Sequence, residues 1–247
     1  MKVAIQLYTV RSLTADDMLA TLTRLGEIGY RAVEFAGYGS SEPNAIREAL
    51  DKAGIDGIAA HVPLTRIDDE FDTVVDEMHT IGAKHLIIPW LPPEMRNDAG
   101  YDHVIATLNQ RAPEARDAGL RMGYHNHDFE FIKDENGNFP FDRIADSTDP
   151  SLVSLEIDCG WVKYAGQDPV AIIEQYAGRV PLLHAKEEQI DGVDDLPAPG
   201  SGPLPWKQIV AAGNAAGSEY LIAEDDKPRD PMKIAKAAFE HLTKLVS

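Results

Sequence analysis

A single cysteine, Cys159, stands in a chain of 247 residues. One thiol excludes an intrachain disulfide and a thiolate-rich zinc site, and it fits a reducing cytoplasm, the location expected here. Long apolar runs are missing as well. Nothing approaches the roughly 20 residues a membrane-spanning helix needs. No secretory leader is expected, because Arg11 and polar residues directly follow residues 1–8. Positive charge is scarce: 23 Lys and Arg face 41 Asp and Glu, for a net charge of −18. With no Lys/Arg cluster to offset it, such a surface repels nucleic-acid phosphates and anionic membranes, which argues against both as partners. Low-complexity stretches and linkers are absent, and no G-x-G-x-x-G follows the first apolar run, which weakens an open dinucleotide-binding sheet.

What the chain does have is regular alternation. Short apolar runs at 3–8, 32–36, 55–62, 84–90, 120–127, 152–158, 180–186 and 220–224 read as strands. Between and after them, helical spacing covers 16–28, 43–53, 70–81, 101–118, 169–177, 206–216 and 231–246, with a short helix near 141–145. Pro113 is expected to kink or restart the fourth of these. Strands alternating with helices imply a parallel sheet, and eight such units in this length imply an α/β architecture, a single (β/α)8 barrel domain over 1–247. The Gly-, Pro- and Asp-rich loop 187–205 is expected to be mobile or to cover a ligand.

A barrel of this kind builds its site at the carboxyl ends of its strands. Ionisable residues accumulate there: Glu34, His61, His125 with His127, Glu156 with Asp158, His184 with Lys186, and Glu224. Strand alternation puts His125 and His127 on one face. His125, Asp158, His184 and Glu224 together offer two imidazoles and two carboxylates, a mixed donor set that suits one divalent ion such as Mn²⁺, Co²⁺, Mg²⁺ or Zn²⁺. Cys159 is expected to point away, toward the helices.

Seven motifs carry a resemblance across nearly the whole chain: IQLYTVR at 5–11, YRAVEFAGYG at 30–39, AAHVPL at 59–64, GYHNHDFEF at 123–131, LEIDCGW at 155–161, LLHAKE at 182–187 and IAEDD at 222–226. The chain resembles the sugar phosphate isomerase/epimerase superfamily, the xylose isomerase-like barrels. The resemblance implies one divalent metal at the barrel mouth, held through His125, Asp158, His184 and Glu224. Many epimerases of the superfamily carry Glu where His125 stands, and the His-rich strand-five signature is similar to that of inosose dehydratase-like members.

The activity this implies is a metal-dependent isomerase or epimerase. It would act on a keto-sugar or sugar phosphate by α-proton abstraction through a metal-stabilised enediolate. The alternative is a dehydratase or lyase of an inosose or 3-keto-sugar that shares the first half-reaction. Glu224 is the candidate base, with His127 or Glu156 returning the proton. Glu34, His61 and Glu130 are candidates for binding sugar hydroxyls, and Trp90, with Tyr8 and Trp161, for stacking on a sugar face or for ordinary packing. Lys186 is read either as a partner of the developing oxyanion or as a salt bridge. The Gly200–Gly202 turn is weighed as a backbone cradle for phosphate. The expected partner is a small sugar or polyol ketone, and a homo-oligomer built through outer helices or long loops is compatible with the barrel.

Overall fold

The computed structural model describes residues 1–190, 192–193 and 196–247; Asp191, Asp194 and Asp195 of the expected loop 187–205 lie outside the described residues. The apolar runs form eight strands: β1 Lys2–Gln6, β2 Ala32–Phe35, β3 Asp56–His61, β4 His85–Ile88, β5 Arg121–His125, β6 Val153–Asp158, β7 Leu182–Ala185 and β8 Tyr220–Ala223. They pair in chain order and close into a barrel. The closing contact is parallel like the others, with Lys2 opposite Tyr220 and Ile5 opposite Ala223. The expected (β/α)8 barrel is therefore the observed fold.

Ten α-helices occur among the described residues: α1 Arg11–Ile28, α2 Pro43–Ala53, α3 Leu64–Asp69, α4 Phe71–Ile81, α5 Asp98–Asp117, α6 Pro140–Asp146, α7 Cys159–Tyr164, α8 Pro169–Gln175, α9 Trp206–Ala216 and α10 Pro231–Val246. Two of them, α3 and α7, are absent from the sequence reading because six residues are too few to show a helical period. Asp158 starts α7 by accepting a hydrogen bond from the Trp161 amide at 2.9 Å. Pro113 lies inside α5 without ending it. Gly54, Gly82 and Gly217 stop α2, α4 and α9 in the left-handed conformation. No helix among the described residues is long and apolar enough to cross a membrane.

Alternation along the strands sorts the barrel interior into layers. Low in the barrel, Ala4, Ala32, Ile58, Ala59, Ile87, Leu182 and Ile222 form an apolar plug. Gly123 of β5 belongs to this crowded interior, since a Cβ there would lie 2.6 Å from Ser154 Oγ and 2.7 Å from Ile87 Cδ1. One step toward the carboxyl ends, the inward positions turn polar: Gln6, Glu34, His61, His125, Glu156, Asp158, His184 and Glu224 are all buried or nearly so. A larger apolar cluster fills the space between the strands and the helices, and it contains Cys159, as expected.

Candidate active site

The polar layer has two tiers. In the upper tier, His125, Asp158, His184 and Glu224 each offer one donor atom, and these atoms all lie within 4.8 Å of one another. Asp158 spends Oδ1 on the α7 amide. Its buried Oδ2 has no hydrogen-bond partner, although His125 Nε2 lies 4.0 Å and Lys186 Nζ 3.8 Å away. An orphaned carboxylate oxygen facing imidazole nitrogens and a second carboxylate is expensive in a sealed interior. A divalent cation would satisfy it, and the donor set fits one.

The lower tier orients the upper one. Glu156 Oε2 accepts from His125 Nδ1 at 2.9 Å and from His61 Nε2 at 2.7 Å. Glu34 Oε2 accepts from His184 Nε2 at 2.7 Å. A carboxylate behind each imidazole of the quartet fixes its ring plane. Both acids are fully buried. They are coupled: burial and the charge of Glu156 push Glu34 up to about 7, whereas the histidines His184 and His61 overcome burial and hold Glu156 ionised. A second set of donors, His61, His125, Glu156 and His184, is also close-packed and is held together through Glu156, while in the first set His184 Nδ1 donates to Glu224 Oε2 at 2.8 Å.

Charge is arranged unevenly. Burial, then the neighbouring His184, lowers His125 to about 4, so its imidazole is neutral and open for ligation. Burial also disfavours the His184 cation, but Glu156, Glu224 and Glu34 outweigh it and raise His184 well above the usual range. Burial, opposed by Lys186 and reinforced by Glu224, lifts Asp158 to about 7. Burial opposes ionisation of Glu224 too, yet Lys186 and His184 hold it as a carboxylate.

Above these tiers opens a cavity of about 1110 Å³, lined by His61, His125, His127, Trp90 and Glu224 among others. Several sequence expectations change here. β5 ends at His125, so strict strand alternation does not set His127. The two rings still sit 5.1 Å apart and both face the cavity. Burial holds His127 well below the usual imidazole range, and its Nδ1 is buried without a partner. Glu34 and Glu156 do not line the cavity; they lie beneath it as supports. Glu130 is fully buried and accepts from the Tyr124 hydroxyl at 2.7 Å and the His127 amide at 2.8 Å, which ties down the turn that carries His127. Lys186 is buried in ion pairs, 2.5 Å from Asp226 and 3.6 Å from Glu224, so of its two readings the salt bridge is the one formed.

The phosphate cradle is corrected outright. The Gly200 and Gly202 amides both donate to Glu187 Oε1 at 3.0 Å, and Trp206 Nε1 joins them at 2.8 Å. Residues missed in the sequence include Asn126, whose side chain accepts from the Asp158 amide at 3.0 Å and joins the ends of β5 and β6. Asp226, quoted only within IAEDD, is the partner of Lys186. Arg11 and Tyr38 line the cavity; no strand-end pattern marks them, because they sit beyond β1 and β2.

The model of the xylose isomerase-like TIM barrel family matches residues 22–245. The chain belongs to this family. An inosose dehydratase from Geobacillus kaustophilus is 26% identical over 193 residues, which are 69% of this chain and 62% of that protein's length. The chain thus spans about three fifths of that relative. A crystal structure of a sugar phosphate isomerase/epimerase from Parabacteroides distasonis superposes with a TM-score of 0.83 at 24% identity, covering 100% of this chain and 94% of the other. The IOLI protein, solved with a bound zinc atom, gives a TM-score of 0.76 at 15% identity over 100% of this chain and 98% of that one. At these identities the structural likeness establishes the fold.

Proposed function

We propose that this chain is a divalent-metal-dependent enzyme that moves a proton on the carbon next to the ketone of a sugar or related polyol, as an isomerase or epimerase. The observation that carries the reading is the buried quartet His125, Asp158, His184 and Glu224, with an orphaned Asp158 oxygen, at the floor of a large cavity. When bound, the ion supplies Lewis-acid polarisation of the substrate carbonyl. The chain's own groups do the rest. Glu224 is an ionised carboxylate on the cavity wall, placed to accept the α-proton. His127, held neutral, faces the same space from the β5 side as the second group that can carry a proton. Glu34 and Glu156 hold the two histidine ligands, and Lys186 with Asp226 fixes Glu224.

A second reading is the dehydratase, favoured by the inosose dehydratase relatives. Both reactions begin with the same α-proton abstraction and differ in whether a hydroxyl then leaves, so the product separates them.

The test uses protein purified without chelator. Elemental analysis is expected to find about one divalent metal per chain in the wild type and far less in His125→Ala and Glu224→Ala. Incubation of the loaded enzyme with keto-sugars in D₂O is expected to put deuterium on the α-carbon without loss of water. A product lighter by one water moves the assignment to the dehydratase. Wild-type protein that neither holds nor takes up metal defeats both readings.

A further inference from the structure

The cavity is larger than the chemistry just described requires. Pockets of about 300–1,000 Å³ enclose most of a drug-sized ligand, and a single hexose is smaller than that, whereas this cavity measures about 1110 Å³. Its lining reaches well beyond the quartet. From His125, His127 and Glu224 it extends past His61 to the turn 36–43 between β2 and α2, with Tyr8 beyond β1 and Trp90 beyond β4 on its walls.

Two features of that outer part describe an occupant. Tyr8 and Trp90 are 41% and 44% exposed, among the few large apolar side chains left in the open. A guanidinium packs on each ring, Arg11 at 4.1 Å from the Tyr8 centroid and Arg96 at 5.1 Å from that of Trp90, so both planes are held in place. Flat platforms of this kind suit the apolar face of a sugar ring.

The charges argue against an anionic substituent. Arg11 donates to the Tyr8 and Asp226 carbonyls at 2.9 and 2.5 Å. Arg66 is paired with Glu70 and Glu77, each at 3.0 Å. Lys227 has a partner in the protein as well. The same wall carries the acids Glu42, Glu77 and Asp226. A phosphate would meet cations that already have partners, beside carboxylates of which Glu77 and Asp226 are themselves paired.

We propose that the outer cavity is a second subsite for an uncharged sugar ring, so that the substrate is a keto-sugar already joined to another ring. This rests on the keto-sugar reading above. Titration calorimetry on the Mn²⁺-loaded full chain would compare fructose, lactulose (the same ketose carrying a galactosyl ring) and fructose 6-phosphate. Lactulose is expected to bind about tenfold tighter than fructose, the equivalent of one good stacking contact. In Tyr8→Ala and Trp90→Ala the lactulose-to-fructose ratio is expected to fall toward one, and in Trp90→Phe to persist. Equal binding of fructose and lactulose, or tightest binding of fructose 6-phosphate, overturns the subsite and leaves the keto-sugar chemistry standing. Failure of all three to bind, together with no α-proton exchange on any keto-sugar, removes the underlying reading and the subsite with it.

Discussion

Glu156 shows how one buried carboxylate serves a site it never faces. It accepts from His125 Nδ1, which leaves His125 Nε2 turned toward Asp158. Glu156→Gln keeps the volume but removes the charge that orients the ring. Loss of such a support costs about 10- to 100-fold in metal affinity, and a Mn²⁺ titration of the variant is expected to show a fall in that range with the fold intact. Glu130 gives a pH-dependent case. Burial pushes its carboxyl up to about 7 from an ordinary 4.5. The native state therefore binds this proton more tightly than the unfolded chain does. The stabilisation is complete below the unfolded value and is lost as pH rises through about 7. The swing is on the order of 3 kcal/mol. Thermal melts at pH 5.5 and pH 8 are expected to show a larger drop for wild type than for Glu130→Gln.

At the scale of elements, the barrel packs its backbones too closely for extra atoms. Gly123→Ala places a methyl against Ser154 and Ile87, and overpacking of this kind costs about 1–3 kcal/mol. Urea unfolding is expected to show a lower midpoint with an unchanged slope. The strands themselves were readable from the sequence because β-branched and apolar runs between glycine stops leave little choice, and their order followed from the alternation with helices. Their ends were less readable. The run 120–127 contains β5 but overshoots it by two residues, since Asn126 and His127 leave the ladder to meet Asp158 and Glu130. The convergence of strand-end acids and histidines was legible too, because closure of a barrel forces it. Their division into two tiers was not. Glu156 and Asp158 share a face of β6, and only the depth of each along the barrel axis separates a support from a candidate ligand. Glu187 was opaque for a related reason: its partners, Gly200, Gly202 and Trp206, lie 13 to 19 residues away across a loop. Glu187→Ala leaves two amides and an indole without their shared acceptor, and limited proteolysis is expected to cut the loop 187–205 faster in the variant.

The whole molecule carries a net charge of −18 and sinks several carboxylates into one polar layer, so an ion bound there stabilises the fold by mass action. At a hundredfold excess over its dissociation constant, a ligand adds about 2.7 kcal/mol. Removal of metal by EDTA is expected to lower the melting temperature by roughly 5–10 °C, at about 2–4 °C per kcal/mol for a chain of this size. Readdition of Mn²⁺ to wild type restores the loss, and readdition to His125→Ala does not.

The seam between β1 and β8 sets a timetable for the nascent chain. Val3 pairs with Leu221 and Ala4 with Ile222, so the first strand of the barrel to be made waits for the eighth before its second edge is covered. Glu224 follows directly on that last strand, which makes completion of the barrel and completion of the candidate metal quartet a single event. A chain cut before β8 has an open edge and three of the four candidate ligands, so the barrel holds no complete quartet until its eighth strand is in place.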